Sequence, residues 1–267
     1  MDLNRTLSVM IPAFNEERTL DVILKHVLER PEVGEVVAVD DGSTDGTWAI
    51  MSRYAERDQR VRAFRLAANQ GKGAALRRAI AEARMPYAVV QDADLEYDPR
   101  DYPILLGPLV EGRADVVYGV RGFAGQTAFS FWFVIGNQAV TLAANLLFDC
   151  YISDLETGYK ALRTDLWRRL NLQGDRFDIE PDITARVLRL GYRIHEVPVR
   201  YYARSRAEGK KLTWVDGLRA IGKLVQLRMV PYGSLFGRSA DPGYHRDRQR
   251  ELSRRHPLMT QAGDPPS

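Results

Sequence analysis

Cysteine is almost absent from this 267-residue chain, where Cys150 stands alone. No intramolecular disulfide and no cysteine-based zinc site can form, and a single thiol fits a reducing compartment. Histidine is scarce as well. His26, His195, His245 and His256 share no spacing suited to a metal, and His195 reads as a structural residue of an alternating strand. The N-terminus carries no apolar signal core, so the folded part is expected in the cytoplasm. Gly-Lys-Gly at 71–73 lacks the full phosphate-loop pattern, which argues against an NTPase. No internal repeat is visible. Charge is missing between Gly122 and Phe148, a stretch containing the strongly apolar run from Phe129 to Ile135. A membrane-spanning helix needs about 20 predominantly apolar residues. Here Asn137, Gln138, Thr141 and Asn145 recur at helical spacing and give one polar stripe. The expectation is an amphipathic helix that packs on the domain or lies in a bilayer interface, without spanning it.

What is present fits a folded α/β chain. Hydrophobic residues make up 45% and charged residues 27%, enough for a sizeable core. The net charge of +3 hides an asymmetry, because Arg and Lys crowd the chain after Arg186. A basic half suits anionic partners. Leu7–Pro12, Glu35–Asp40, Val61–Leu66 and Tyr87–Val90 read as strands. Between them lie helical patterns, the first carrying Leu20, Ile23, Leu24, Val27 and Leu28, with Asn15 as its expected cap. That alternation predicts right-handed crossovers and a mainly parallel sheet. Further strands are expected at Asp115–Gly119 and Tyr192–Tyr201, with a helix over Ile183–Leu190. A basic amphipathic helix is expected over Trp214–Met229. One domain is read over residues 1–235, followed by a basic, disordered tail at 236–267.

In open α/β sheets, ligands bind beyond the carboxyl ends of the strands. Three polar clusters fall at such ends: Pro12–Glu17, Asp40–Asp45 and Asp92–Glu96. The last holds Asp92, Asp94 and Glu96 at alternate positions after a buried strand, read as converging on one point. Hard oxygen donors so arranged suit Mg²⁺ or Mn²⁺, with substrate phosphates completing the shell.

Ile11-Pro-Ala-Phe-Asn-Glu, Val39-Asp-Asp-Gly-Ser-Thr-Asp-Gly-Thr, Asn69-Gln-Gly-Lys-Gly and Gln91-Asp-Ala-Asp-Leu-Glu-Tyr-Asp-Pro99 occur in that order. Together they resemble the family 2 glycosyltransferases, and among these the dolichol- or polyprenyl-phosphate sugar synthases, over about Leu7–Pro231. The resemblance implies a single-domain GT-A fold, a nucleotide-sugar donor (UDP-glucose or GDP-mannose), a divalent metal (Mg²⁺ or Mn²⁺) and inversion at the anomeric carbon. It also implies site roles. Pro12, Phe14 and Glu16 form one wall of the nucleotide pocket. Asp40 or Asp41 accepts hydrogen bonds from the base or ribose. Lys72 approaches the base or a phosphate, and Asp92, Ala93 and Asp94 meet the nucleotide sugar. Asp94 is the first choice of metal ligand and Glu96 the second, with Asp92 a ligand or a contact to sugar hydroxyls.

A polyprenyl phosphate is already anionic and needs cations to place it, with no general base. Arg121, Arg204, Arg206, Lys210 and Lys211 are the candidates. The synthases commonly carry a second arginine after the Arg121 strand, and Gly125-Gln-Thr-Ala-Phe-Ser-Phe offers none. A hydroxyl acceptor on a saccharide, glycolipid or small metabolite would instead need a base, for which Asp154, Glu156 and Glu180 are available. Under the phosphate reading Glu180 and Asp182 help to hold the sugar pocket. A non-catalytic nucleotide-sugar binder is the remaining alternative. The expected location is cytoplasmic and peripheral at the inner face of the membrane, held by the two amphipathic helices or by a membrane-protein partner. Nucleic acid is not an expected partner.

Overall fold

The apolar runs of the first ninety residues become β1 (Leu7–Ala13), β2 (Val33–Asp40), β3 (Val61–Arg65) and β4 (Tyr87–Val90). These pair in parallel. Helices α1 (Leu20–Leu28), α2 (Thr47–Arg57) and α3 (Lys72–Glu82) supply the crossovers. The structure is a computed structural model and describes residues 3–122, 131–175, 178–203 and 214–236. The expected tail beyond 236 and the basic residues Arg204, Arg206, Lys210 and Lys211 lie outside the described residues.

The second half adds α4 (Tyr102–Val110), β5 (Val116–Arg121), α5 (Phe131–Phe148), β6 (Lys160–Arg163) and α6 (Thr164–Arg169). It continues through α7 (Ile179–Arg189), β7 (His195–Val199), α8 (Trp214–Met229) and α9 (Tyr232–Phe236). One sheet of seven strands runs in the order β3-β2-β1-β4-β6-β5-β7. Among the described residues only β6 is antiparallel to its neighbours. The sequence reading gave no strand at Lys160–Arg163, because four residues with a charge at each end carry no period-2 signal. Its placement comes from the buried pair Ala161 and Leu162.

Alternation along the strands sorts the core into two layers, as a two-faced sheet requires. Val9, Ile11, Val36 and Ala38 pack with Leu20, Ile23, Leu24 and Met51 on one face. Met10, Val37 and Val39 pack with Leu76, Ile80, Trp167 and Ile183 on the other. Each buried aliphatic side chain of this kind contributes about 1.5–3 kcal/mol. A third cluster joins α5 and α8, through Val140, Ala144, Ala220, Leu224 and Leu227.

Two local expectations change. Asn15 does not cap α1. It takes a left-handed backbone with φ 55°, and its amide oxygen accepts from the Thr44 N–H at 2.9 Å, so it ties two strand-end loops together. Asp182 is likewise a framework residue. Its carboxylate is fully buried and accepts from Gln173 and Gly174 N–H at 2.7 and 2.8 Å and from Arg186 Nε at 2.6 Å. That is local helix and loop bonding, with no oxygen left to shape a sugar pocket. Replacing Asp182 by Ala would leave Arg186 buried and unpaired, a change worth roughly 3–5 kcal/mol. Denaturant unfolding should show that loss, and a midpoint unchanged from wild type would remove Asp182 from the framework.

Candidate active site

Strands β2, β1 and β4 are neighbours, and their carboxyl ends bring the three polar clusters to one edge of the sheet. The wall at the end of β1 carries Pro12, half-exposed Phe14 and Glu16. Glu16 accepts from the Thr19 hydroxyl at 2.7 Å, while its N–H donates to the Thr47 hydroxyl at 2.9 Å. Both aspartates after β2 are buried. Asp40 accepts from Ser43 N–H at 3.0 Å and pairs with Arg65 Nε at 2.9 Å. Asp41 accepts from the N–H groups of Gln70 and Gly71 at 2.8 and 2.7 Å. So Asp41 fastens the Gly-Lys-Gly loop to the β2 end. The far side of that loop is fixed too, since Gly73 N–H donates to Asp175 O at 2.8 Å. A Cβ at Gly73 would overlap the Gly174 carbonyl.

The carboxylate run departs from the sequence expectation. Asp92, Asp94 and Glu96 do not form one three-carboxylate metal group. After Val90 the chain abandons the extended form, with Leu95 at φ 63°, and alternation no longer aims the side chains. Asp92 Oδ1 pairs with Lys72 Nζ at 2.7 Å. Asp94 Oδ1 accepts from Glu96 N–H at 3.1 Å. Glu96 Oε2 accepts from the Tyr201 hydroxyl at 2.6 Å. Ala93 is buried between the aspartates. No group of three or more His, Cys, Asp or Glu among the described residues is placed to hold a metal. Two aspartates still meet the donor chemistry of Mg²⁺ or Mn²⁺, which takes one or two carboxylates together with substrate phosphates.

Gln91, whose role the sequence did not reveal, holds this segment. Its Oε1 accepts from the hydroxyls of Tyr102 and Tyr159 at 2.8 and 2.7 Å. Its Nε2 donates to the carbonyls of Asp92 and Tyr97 at 3.1 and 3.4 Å. Tyr97 stacks on Tyr159 with centroids 4.6 Å apart and forms a bridge with Tyr201. The tyrosines sit too far apart in sequence for any local pattern to expose the cluster.

Lys72 is a paired ammonium rather than a solvated helix-start lysine. Besides Asp92 it meets Glu180 Oε1 at 3.0 Å. Glu180 Oε2 lies 2.5 Å from the fully buried Lys160 Nζ, which also donates to the carbonyls of Leu155 and Thr157. Burial alone would lower the Lys72 pKa, but the charges of Asp92 and Glu180 outweigh it and hold it above the ordinary lysine value. For Glu180, burial acts upward and Lys160 and Lys72 act downward, with a net lowering.

Across the sheet, Arg121 is buried at the end of β5. Its Nε and Nη2 donate to Asp154 Oδ2 and Oδ1 at 2.7 and 2.6 Å, and its guanidinium lies 5.2 Å from the Tyr201 ring centroid. Asn137 Nδ2 of α5 donates to the same carboxylate at 3.1 Å. Burial pushes Asp154 up, yet Arg121 and these hydrogen bonds bring it below the usual carboxylate value. Glu156, two residues on, has no hydrogen-bond partner among the described residues. Burial, with the charge of Glu180 beside it, pushes its carboxyl up to about 7.

A glycosyltransferase signature is carried by the chain itself. Residues 8–169 match the family model described as Glycosyl transferase family 2. The chain belongs to this glycosyltransferase family. Among its relatives, the polyprenol monophosphomannose synthase of Mycolicibacterium smegmatis is 32% identical over 212 residues, 75% of this chain and 78% of the relative. The undecaprenyl-phosphate mannosyltransferase of Micrococcus luteus is 29% identical over 216 residues, 77% of this chain and 87% of the relative. A crystal structure of the glucosyl-3-phosphoglycerate synthase of Mycobacterium tuberculosis, in complex with Mn²⁺ and UDP-glucose, superposes with a TM-score of 0.66 at 24% identity. It covers 85% of this chain and 80% of that one. That likeness establishes the GT-A fold of the family 2 enzyme. The mostly parallel sheet read from the sequence agrees with it.

Gly158 offers a direct check of the site. A Cβ there would overlap Asp92 Oδ2 and press on the Tyr97 ring. Gly158→Ala is therefore expected to displace Asp92 and slow sugar transfer by roughly a hundredfold, the scale of a small misplacement of reacting groups. A nucleotide-release assay reads the effect. Wild-type turnover by a Gly158→Ala enzyme would show that Asp92 need not stand where it does.

Proposed function

We propose that this glycosyltransferase moves a hexose, glucose or mannose, from UDP-glucose or GDP-mannose to a polyprenyl phosphate, with inversion at the anomeric carbon. One observation carries the lipid part of the reading: α5 turns Asn137, Thr141 and Asn145 inward while four large apolar side chains on it face outward. Asn137 bonds Asp154, the Thr141 hydroxyl accepts from Leu155 N–H at 3.1 Å, and Asn145 bonds Ile152. Its exposed positions include Phe131, Ile135, Leu142 and Leu146, the last 76% exposed. Beside it, α8 exposes Leu218, Val225 and Met229, and Arg228 Nε donates to Leu147 O across the pair. No helix among the described residues is long and apolar enough to cross a membrane. Such faces suit the headgroup boundary of a bilayer, and Asn137 links the lipid-facing helix to the Arg121–Asp154 pair. The names of the Mycolicibacterium and Micrococcus relatives support the same acceptor class.

The chemistry follows from the charges. The acceptor phosphate attacks as an anion, so the protein must place it and shield its charge. Arg121, with the basic residues Arg204, Arg206, Lys210 and Lys211, is proposed for that task. The departing nucleoside diphosphate gains negative charge, met by the Lys72 ammonium at the β4 end. Asp94 and Asp92 are the proposed metal carboxylates, Glu96 being engaged by Tyr201. A bound Mg²⁺ or Mn²⁺ would supply Lewis-acid neutralisation of the diphosphate. Phe14 and the Asp40–Asp41 loop border the nucleotide pocket.

A second reading, with a hydroxyl acceptor, is favoured by Glu156 alone. A carboxyl pushed up to about 7 is suited to general-base work. The two readings separate on pH. If Glu156 is a base, transfer rises as pH climbs through 7 and the carboxyl ionises, and Glu156→Gln abolishes it. With a phosphate acceptor, Glu156→Gln costs little beside Asp94→Ala. Labelled UDP-glucose and GDP-mannose, offered with polyprenyl phosphate and with Mg²⁺, Mn²⁺ or neither, test the reaction itself. Lipid-extractable label from one donor, metal-dependent and lost in Asp94→Ala, is expected. No label from either donor would sink the proposal.

Membrane contact has its own measurement. Paired Leu142→Glu and Leu146→Glu changes should weaken sedimentation with anionic lipid vesicles by about tenfold or more, given ~0.8 kcal/mol for each buried CH₂ lost from the lipid. Undiminished sedimentation would point instead to a membrane-protein partner.

A further inference from the structure

The transfer chemistry proposed above uses Lys72 and the carboxylates after β4, and leaves Glu180 without a task. Yet Glu180 is paired with two ammonium groups beside the site. It sits in the first turn of α7, where helix N–H groups favour negative charge. One carboxylate oxygen meets Lys72 and the other meets Lys160. Lys160 in turn holds the carbonyls of Leu155 and Thr157, immediately before the glycine on which Asp92 rests. The four groups make an alternating chain, Asp92, Lys72, Glu180, Lys160, each within ion-pair distance of the next.

We infer that Glu180 is a positioning residue for sugar transfer, fixing the Lys72 ammonium against Asp92 and so at the diphosphate end of the donor site. The physical case is one of competing flexibility. A lysine side chain has four rotatable carbons and carries about 2 kcal/mol of rotamer entropy. Asp92 alone offers Lys72 one partner on a loop, whereas Glu180 adds a second on a helix end that is itself locked by a buried lysine. The loop bearing Lys72 is fixed at its backbone by Asp41 on one side and Asp175 on the other. Only the side chain remains to be aimed, and Glu180 is the group in place to aim it. Arg77 donates to Gly174 O and Asp175, so it braces the backbone and not the ammonium.

This inference rests on the nucleotide-sugar reading of the site, and the test separates the two. Glu180→Gln keeps the size and one acceptor but removes the charge. It is expected to lower kcat/KM for the donor by roughly a hundredfold, mostly in kcat, and Glu180→Asp should recover part of it. In a Lys72→Met background the same change should have little further effect, because the residue it positions is gone. A second readout needs no turnover: acetic anhydride labelling of Lys72, followed by mass spectrometry. Loss of the Glu180 contact frees the side chain from one of its two partners, so labelling should rise several-fold in Glu180→Gln. If that variant does not fold, Glu180→Asp is labelled in its place, with the same direction expected. Unchanged labelling, or losses that simply multiply in the double variant, would overturn the inference. Wild-type donor turnover by both Lys72→Met and Asp94→Ala would overturn the reading of the site itself, whatever Glu180 does to Lys72 labelling.

Discussion

The ion pair between Lys72 and Asp92 is the contact on which the site turns. It joins the first residue of α3 to the segment after β4. Neither end is held by that pair alone. Asp41 and Asp175 clamp the lysine's loop, Gly158 gives Asp92 room to approach, and Gln91 secures the start of the aspartate segment between two tyrosine hydroxyls. A charge pair this close in a half-buried setting is costly to assemble and strongly directional once assembled. The surrounding framework reads as the means of keeping both partners in register.

Much of that framework could be seen in the residues. The three polar strand ends were legible because each follows a short apolar run and opens a helical pattern. The parallel order of β1 to β4 followed from the same rhythm. The four motifs in their order resemble those of a glycosyltransferase, and the matched family model agrees. Reading failed where the chain left regular structure or where partners were distant. Alternation suggested that Asp92, Asp94 and Glu96 converge, but the chain leaves the extended form after Val90 and each carboxylate engages a different partner. Asn15 looked like a helix cap, and its partner is a loop nearly thirty residues away. Nothing local in Gln91, Tyr97, Tyr159 or Tyr201 announces that they form one cluster.

The uncharged helix gives the most instructive difference. Its polar stripe was legible, and so was its helical spacing. Which way the stripe faces was not, because a stripe turned to water and one turned to a polar loop have the same periodicity. The answer lies in residues 150–155, whose backbone groups need partners and find them in Thr141 and Asn145. Satisfying buried backbone groups thus sets the orientation, and Leu142 and Leu146 are left outside as a result.

The antiparallel strand β6 has a consequence for how such a site can vary. A strand running against its neighbours presents its beginning where they present their ends. Lys160 opens β6 opposite Tyr118 in β5, and the segment from Asp154 to Tyr159 therefore arrives at the same rim as the loops that follow β1, β2 and β4. The donor side is built from what comes after strands, the opposite side from what comes before one. Those two halves of the rim meet where β4 pairs with β6. Gly158 and Tyr159, which meet Asp92 and Gln91, are fixed by that contact, whereas the exposed face of α5 can be exchanged or turned toward another surface while the register that holds Asp92 stays as it is.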